Sequence, residues 1–345
     1  MERKPVYYGE YLQLDKILNA QLPESEKEGV VANDEMLFIV IHQAYELWFK
    51  QILFEVNLVR GIFNQSDIKD SSPDLYQAAH RLKRVGTILQ VLIHQLDILE
   101  TMTPLDFLDF RDLLRPASGF QSIQFKILEA ALGLKFKNRY GHEYYVSQLK
   151  PEDVKQVKDS ENEKSLLELI NRWLERMPFF NGEKYWNEKS LSNNAEHPFW
   201  KNYLATYSSS LQPGEKQNLE NFEKLFLKDA TYPSDRNFSA LANRSALFIM
   251  LYRDYPLLLQ PYQLLNSLLD IDELLAQWRY RHMNMVQRMI GRRIGTGGST
   301  GAEYLKAAAD THYVFKEIAD LTSFLSQRGK LPKLSDGLQK ALSFE

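Results

Sequence analysis

Apolar residues dominate positions 33–64, and their spacing predicts one long helix. Residues 36–41 are all apolar, and the aromatic and aliphatic residues that follow cover most faces of a helix. A helix of this kind is typical of a large core, so we expect it to be buried on nearly every side. Its polar exceptions share one stripe, because His42, Glu46 and Lys50 recur at i, i+4 and i+8.

Helical signals also mark segments in the rest of the chain. Pro73 suits the first position of a helix that we expect to reach about residue 100. Thr103-Pro104-Leu105-Asp106 joins an N-cap, a proline at the first helical position and an acidic residue three positions after the cap, which predicts another helix start. Helical spacing predicts further helices at about 123–128, 237–255, 261–290, 302–309 and 312–328.

The segment of about 136–236 is more polar and less regular than the rest. Two charged amphipathic stretches, 163–176 and 214–226, flank an asparagine- and serine-rich patch at 190–194, and we expect exposed helices and loops here. The chain shows neither an alternating strand pattern of useful length nor an internal repeat. We therefore predict an all-α protein whose residues 1–345 form a single domain, a helical bundle with a smaller polar helical insert at about 136–236.

Composition excludes several classes of function. The 345 residues include 42 Lys and Arg and 45 Asp and Glu, a formal charge of −3, which argues against a nucleic-acid partner. Because the chain has no cysteine, it can hold neither a disulfide framework, a zinc ribbon nor a thiolate-bound iron centre. No apolar run has the length of a signal peptide or of a membrane span, so we expect a soluble, cytoplasmic protein without a membrane partner.

Two of the seven histidines, His42 and His282, lie within long apolar helical segments. A single buried histidine is more often a core residue bonded to a neighbour than a functional one. Two of them in a helical bundle favour a cofactor, because bundle interiors are where cofactor sites are built. Without cysteine, histidine is the natural axial ligand for a haem iron. The Glu-x-x-His pairs of di-iron bundles and the H-E-x-x-H zinc motif are both absent.

Two further features carry candidate chemistry. Arg111 lies among phenylalanine and leucine residues, where a guanidinium needs an anion. That anion is either an internal carboxylate, such as Asp106 or Asp109, or the carboxylate of a substrate bound bidentately. The glycine-rich segment 295–301 does not match a nucleotide-binding loop. It is either a simple interhelix turn or a mobile lid that supplies Thr296 to a small ligand.

The chain resembles the tryptophan 2,3-dioxygenase family in stretches spread over nearly its whole length and in the family's order. The match is loose only in the segment of about 136–236. The matching stretches are Tyr8-Gly9-Glu10-Tyr11-Leu12, His42-Gln43-Ala44-Tyr45-Glu46-Leu47-Trp48-Phe49-Lys50-Gln51, Glu100-Thr101-Met102-Thr103-Pro104-Leu105-Asp106-Phe107, Phe110-Arg111, Pro116-Ala117-Ser118-Gly119-Phe120-Gln121, Trp278-Arg279-Tyr280-Arg281-His282 and Gly295-Thr296-Gly297-Gly298-Ser299.

This resemblance implies an α-helical homotetramer with one non-covalent haem b per subunit. The implied reaction is the oxidative opening of the indole ring of L-tryptophan by O₂, which gives N-formyl-L-kynurenine and begins the kynurenine pathway. Haem would carry the oxygen chemistry, while the protein orients the substrate and excludes water.

The resemblance also assigns roles around the cofactor. His282 matches the proximal ligand of the haem iron, and Trp278 matches the residue one turn before it. Ser118 and Gly119 match the stretch beside the haem. His42 matches the distal histidine that hydrogen-bonds the indole N–H, and we treat it as a positioning group rather than an obligatory base.

The same resemblance assigns roles around the substrate. Arg111 matches the clamp on the tryptophan carboxylate, and Thr296 matches the loop residue that meets the ammonium and carboxylate groups. The remaining assignments are apolar walls around the indole and two residues supplied by an adjacent subunit: Phe38, Phe107 and Leu114 for the walls, Tyr8 and Tyr11 for the adjacent subunit.

Alternative functions are compatible with parts of this pattern. A dioxygenase or monooxygenase of a modified tryptophan would use the same residues. A haem- or ligand-binding sensor without turnover would need little more than His282 and a pocket, so the joint presence of His42, Arg111 and Thr296 favours an enzyme. A structural scaffold that binds partners through its polar middle leaves His282 unexplained.

Overall fold

Every regular element in the described part of the computed structural model is a helix, which confirms the all-α prediction. The structure describes residues 4–65, 72–135, 149–180, 182–186, 196–229, 232–291, 293–294 and 302–343, without the side chains of 182, 183 and 302–304. None of the helices in these ranges is both long and apolar enough to cross a membrane.

The α-helices are numbered in chain order. Those of the first half are α1 Tyr8–Leu12, α2 Leu14–Leu18, α3 Glu24–Lys27, α4 Asp34–Phe63, α5 Pro73–Leu99, α6 Pro104–Arg111, α7 Ile123–Leu132, α8 Pro151–Asn162 and α9 Leu166–Glu175. Those of the second half are α10 Pro198–Ser210, α11 Lys216–Phe222, α12 Ala240–Leu251, α13 Pro256–Ile290, α14 Ala302–Thr311, α15 Lys316–Asp320 and α16 Asp336–Ser343. Short 3₁₀ turns lie at Asp112–Leu114, Gly119–Gln121, Pro178–Phe180, Pro213–Glu215, Leu321–Phe324 and Arg328–Lys330, and π-helical turns at Gly182–Trp186 and Glu223–Leu227.

Three long helices, α4, α5 and α13, form the framework of the bundle, with α5 packed against both of the others. The predicted bounds of α4 and α5 are confirmed to within one residue at each end. Helix α13 begins at Pro256 rather than at the predicted Pro261, because Pro256 takes the first helical position and Pro261 falls inside the helix. One proline so near the start interrupts a single backbone hydrogen bond, and the rest of the helix continues through it.

The expectation of exposed helices at about 136–236 is wrong for α9 and α10, whereas it is confirmed for α8 and α11, each of which buries a single residue. Helix α9 buries one whole face, and α10 buries four aromatic residues. The hydroxyl groups of Tyr203 and Tyr207 donate to the carbonyl oxygens of Phe324 and Ser323 at 2.7 and 2.8 Å. Charged residues on the outer faces lower the average hydropathy and hide this apolar stripe. The patch at 190–194 lies outside the described residues.

Helix α4 is also less enclosed than its composition predicts. Four of its apolar residues are exposed in the single chain, Met36, Val40, Leu47 and Phe54, the last at 57%. The last three of these residues recur every seven positions, so they form a continuous apolar stripe along the helix. The prediction of burial on nearly every side is therefore wrong for the isolated chain, and we call these four residues the α4 stripe.

Gly133 ends α7 in a conformation that favours glycine, with φ at +143°. A Cβ atom there would lie 2.7 Å from the Cβ of Leu167 and 3.0 Å from a methyl group of Val314. Gly133→Ala is therefore expected to lower the free energy of unfolding by about 2–4 kcal/mol, through overpacking and backbone strain. Urea unfolding would measure this. Gly61→Ala is the matched control, because its Cβ meets no atom within 4 Å and alanine favours the helix.

Candidate active site

One cavity of about 300 Å³ opens between α4, α6, α7, α13 and α14, and its lining is mainly apolar and aromatic. Concave, mostly apolar cavities with a few polar groups are the usual form of small-molecule and cofactor sites. The structure brings eight of the twelve site residues predicted from the sequence to this cavity: Phe38, His42, Phe107, Arg111, Ser118, Gly119, Trp278 and His282.

The other four predicted residues are placed differently. Leu114 lies in a 3₁₀ turn after α6 and packs against the core, outside the set of described residues that line the cavity. Tyr8 and Tyr11 are exposed, at 74% and 75%. Thr296 lies outside the described residues. The functional roles of all twelve stay predictions.

His282 lies in the last third of α13, with its imidazole on the cavity. The indole of Trp278 stacks on it, with ring centroids 5.4 Å apart and planes 12° from parallel. Burial, with a smaller contribution from nearby His42, lowers the pKa of His282 to about 4. The imidazole is therefore neutral at physiological pH, and a neutral ring nitrogen can ligate a metal.

Trp278 is itself held by aromatic neighbours from two other helices. Its ring lies 6.0 Å from Tyr45, 5.9 Å from Phe49 and 5.1 Å from Phe125, measured between centroids. The indole Nε1 lies near the Tyr45 hydroxyl, yet it makes no hydrogen bond of normal geometry with any described residue. A buried N–H without an acceptor in the protein is often completed by a bound group.

His42 faces the same cavity from α4. Its Nδ1 atom lies 2.7 Å from the carbonyl oxygen of Phe38. Because a carbonyl oxygen can only accept, Nδ1 carries the hydrogen and donates it. Burial lowers the pKa of His42, while the Phe38 carbonyl and Glu46 act in the opposite direction. The neutral ring therefore keeps Nε2 as a hydrogen-bond acceptor.

Arg111 is the last residue of α6 and is only 5% exposed. Its Nη2 donates to the carbonyl oxygen of Ile294, and its Nε has no hydrogen-bond partner among the described residues. The suggested ion pair with Asp106 or Asp109 is not formed. Asp106 instead completes a capping box, in which its carboxylate accepts from the backbone N–H of Thr103 at 2.9 Å. A buried guanidinium with a spare donor is suited to bind an anionic ligand.

The turn at Ser118 and Gly119 brings backbone to the cavity wall. The Ser118 hydroxyl accepts from the Phe120 N–H at 3.4 Å, and the Gln121 side chain accepts from the Ser118 N–H at 3.3 Å. A Cβ on Gly119 would meet no atom within 4 Å, so open space lies next to its backbone.

Four buried polar residues of the cavity wall were not predicted from the sequence: Lys126, Glu129, Arg279 and His312, each 6% exposed or less. Arg279 Nη2 donates to Glu129 Oε1 at 2.7 Å, and its Nη1 donates to the His312 carbonyl oxygen at 3.0 Å. The sequence contained two signals that could have pointed to three of these residues. Lys126 and Glu129 are charged residues three apart in an apolar helix, and Arg279 follows Trp278 directly.

The fold and the cavity together define the class of this protein. It is an all-helical protein whose core cavity presents a neutral histidine from one helix, a second histidine from another and a buried arginine from a third. An apolar bundle cavity with a few polar side chains is the kind of site that holds a cofactor or a small-molecule ligand. Among the described residues, no group of three or more His, Asp or Glu could hold a metal ion.

Comparison with known proteins identifies the family. The family model "Tryptophan 2,3-dioxygenase" matches residues 1–325. The tryptophan 2,3-dioxygenase of Bdellovibrio bacteriovorus is 40% identical over 359 residues, which cover 100% of this chain and 99% of that protein. The protein of the same name from Alteromonas mediterranea is 43% identical over 360 residues, covering 99% and 98%. The chain therefore belongs to the tryptophan 2,3-dioxygenase family.

Proposed function

We propose that this chain is an oxidoreductase that opens the indole ring of L-tryptophan with O₂ and forms N-formyl-L-kynurenine. The observation that carries the proposal is the meeting of His42, Arg111 and His282 in one cavity. These residues come from α4, α6 and α13, so only the folded chain brings them together. Membership of the family supports the same reaction.

We infer that the cofactor is one non-covalent haem b per subunit, and the residues present fit it. His282 offers a neutral imidazole, the cavity is apolar, and open space lies beside Gly119. His282 would hold the iron, with Trp278 stacked on its ring. When bound, haem supplies the oxygen chemistry that amino-acid side chains lack.

Arg111 would fix one end of tryptophan. Among the described residues its guanidinium donates to one backbone carbonyl and keeps a spare Nε donor, so a carboxylate would be the stronger partner. Arginine recognises a planar carboxylate through two parallel hydrogen bonds, which sets the orientation of the amino acid as well as its affinity. Thr296 would meet the same end of the substrate, because it follows Ile294, the residue that already contacts Arg111, by two positions.

His42 and the aromatic walls would fix the other end. The Nε2 of His42 is an acceptor and would receive the indole N–H, while Nδ1 stays bonded to Phe38. The rings of Phe38 and Phe107 lie 5.7 Å apart, and they would exclude water from the indole. When both ends of the substrate are held, the indole is already oriented for its reaction with O₂, so the reaction does not depend on a random encounter in the correct orientation. Leu114, which the resemblance also assigns to the apolar walls, lies outside the cavity lining and would support the wall residues from the core side.

We also infer a homotetramer, in which the α4 stripe and the exposed N-terminal aromatic residues are covered. Tyr7, Tyr8 and Tyr11 are between 72% and 75% exposed in the single chain. Apolar surface of this extent on a single chain usually marks an interaction site. Tyr8 and Tyr11 would then contribute to the cavity of an adjacent subunit. A single domain over 1–345, with the more variable insert at about 136–236, completes the proposal.

A product assay tests the reaction. The protein is reconstituted with haem, reduced and mixed with L-tryptophan under air, and the product is identified by mass. A product heavier than tryptophan by two oxygen atoms is expected, with the ultraviolet spectrum of N-formylkynurenine. A histidine-bound haem spectrum without product would contradict the reaction and favour a modified indole substrate or a sensor. A protein that stays colourless would contradict the cofactor as well.

A further inference from the structure

Asp272 is a buried carboxylate on α13 for which the proposed reaction has no use. It is 4% exposed and lies ten residues before His282 on the same helix. One oxygen accepts from the backbone N–H of Val314 at 3.0 Å, and the other accepts from the backbone N–H of Phe315. Burial raises its pKa to about 6, so the group is mostly ionised at neutral pH and can accept both bonds.

Arg279 reaches the same chain segment from two turns further along α13. Its Nη1 donates to the carbonyl oxygen of His312, while its Nη2 pairs with Glu129 of α7. Two side chains of one helix thus hold the turn 312–315 at three backbone atoms. We call Asp272, Arg279 and Glu129, together with this turn, the α14 clamp.

The α14 clamp lies where α14 ends and contributes to the cavity wall. Leu305 and Ala308 of α14 line the cavity, as does His312 directly after it. Arg279 is three residues before His282, so the clamp joins this wall to the helix turn that carries the predicted iron ligand. Every polar atom that forms the clamp belongs to a residue buried by at least nine-tenths or to the backbone.

We propose that Asp272 and Arg279 are positioning residues that close the α14 wall on the haem and thereby set how slowly haem leaves. The inference rests on the proposed function, because it requires haem on His282. A non-covalent haem leaves once the bond to its protein ligand breaks, and it leaves more slowly while the α14 wall stays packed against it. Opening the α14 wall breaks buried charge-assisted hydrogen bonds, which are stronger than neutral ones. Weakening the clamp should therefore speed haem loss without changing the iron ligand.

Asp272→Asn tests the clamp with the smallest change of shape. Asparagine keeps one acceptor oxygen but turns an NH₂ group toward the second backbone N–H. The measurement is the rate at which the ferric holoprotein transfers haem to excess apomyoglobin. A rise of roughly tenfold or more is expected, which corresponds to about 1.4 kcal/mol or more. The visible spectrum of the bound haem should be unchanged, because His282 is untouched.

Two control variants distinguish an effect of the clamp on haem loss from an effect of a lost charge and from an effect of lower stability. Asp270→Asn removes an exposed carboxylate two residues away on α13 and should leave haem loss at the wild-type rate. Glu55→Gln weakens another buried carboxylate, which is held by Arg81 and Arg84 away from the cavity. It should lower the free energy of unfolding without a matching rise in haem loss.

The proposal is overturned if Asp272→Asn loses haem within twofold of the wild-type rate. It is also overturned if Glu55→Gln speeds haem loss as much at an equal loss of unfolding free energy. Should Asp272→Asn not fold, Arg279→Lys gives the same test, because lysine cannot bridge His312 and Glu129 in the same way. A wild-type protein that binds no haem overturns both this inference and the proposed function, whereas normal tryptophan turnover with unchanged haem loss overturns the clamp alone.

Discussion

Replacing His282 by alanine is expected to abolish stable haem binding and, with it, product formation. Histidine is the ligand that a chain without cysteine offers most readily to a haem iron, and His282 presents a neutral imidazole to the cavity. Loss of an outer partner of a metal ligand commonly weakens metal affinity by roughly 10–100-fold. Loss of the ligand itself should exceed that, so we expect haem affinity to fall by more than this range.

Haem titration followed by visible absorption would measure the loss. His94→Ala is the matched control, because His94 is an exposed histidine on α5 and should bind haem as the wild type does. His282→Gly in the presence of free imidazole is the sharper test, since the small molecule can replace the side chain at the iron. Recovery of the histidine-type spectrum with imidazole is expected. An unchanged spectrum and affinity in His282→Ala alone would refute the assignment.

Local signals in the sequence were sufficient to place the starts of α5 and α6. Pro73 and the capping box at Thr103 set the starts of α5 and α6, and the structure places both starts where these signals predict. Such signals act within three or four residues, so they do not depend on the rest of the fold. The start of α13 was misplaced because two prolines compete there, and tertiary packing carries the helix through Pro261.

Non-local contacts explain what sequence reasoning did not find. The clamp joins Glu129, Arg279 and the turn at His312, which are separated by at least 33 positions in the chain. No periodicity links such residues, because only the packing of α7, α13 and the end of α14 makes them neighbours. The buried face of α9 was missed for a different reason. Its leucines and Trp173 alternate with charged residues, and average hydropathy conceals a stripe that the helical period reveals.

The sequence left two possible anions for Arg111, an internal carboxylate and the carboxylate of a substrate. Only the folded chain could distinguish them, because they differ in what surrounds the guanidinium. Asp106 lies five residues before Arg111 in the same helix, close enough in the chain to be considered as a partner. The capping box uses its carboxylate at the other end of α6, and among the described residues Arg111 donates to the carbonyl oxygen of Ile294 instead. Its unused Nε, buried without a described partner, leaves a donor on the cavity for an anionic ligand.

Arg111→Met should lower kcat/KM for L-tryptophan by on the order of 10²–10³, since removing one partner of a buried charge pair costs about 2–5 kcal/mol. Methionine keeps the length and apolar stem of the side chain but removes the guanidinium. The kcat/KM of Arg111→Lys should lie between those of the wild type and Arg111→Met, because lysine restores the charge but not the bidentate geometry. Steady-state kinetics on haem-loaded protein would measure all three.

Tryptamine shows whether this loss arises at the carboxylate. It has the indole and ammonium groups of tryptophan but no carboxylate, so a clamp on the carboxylate contributes nothing to its turnover. The wild type and Arg111→Met should therefore act on tryptamine at similar, low efficiency. If the substitution instead reduces both substrates by the same factor, Arg111 acts through its contact with Ile294 on the shape of the cavity. The difference between the two substrates, rather than the size of either loss, is what identifies a substrate clamp.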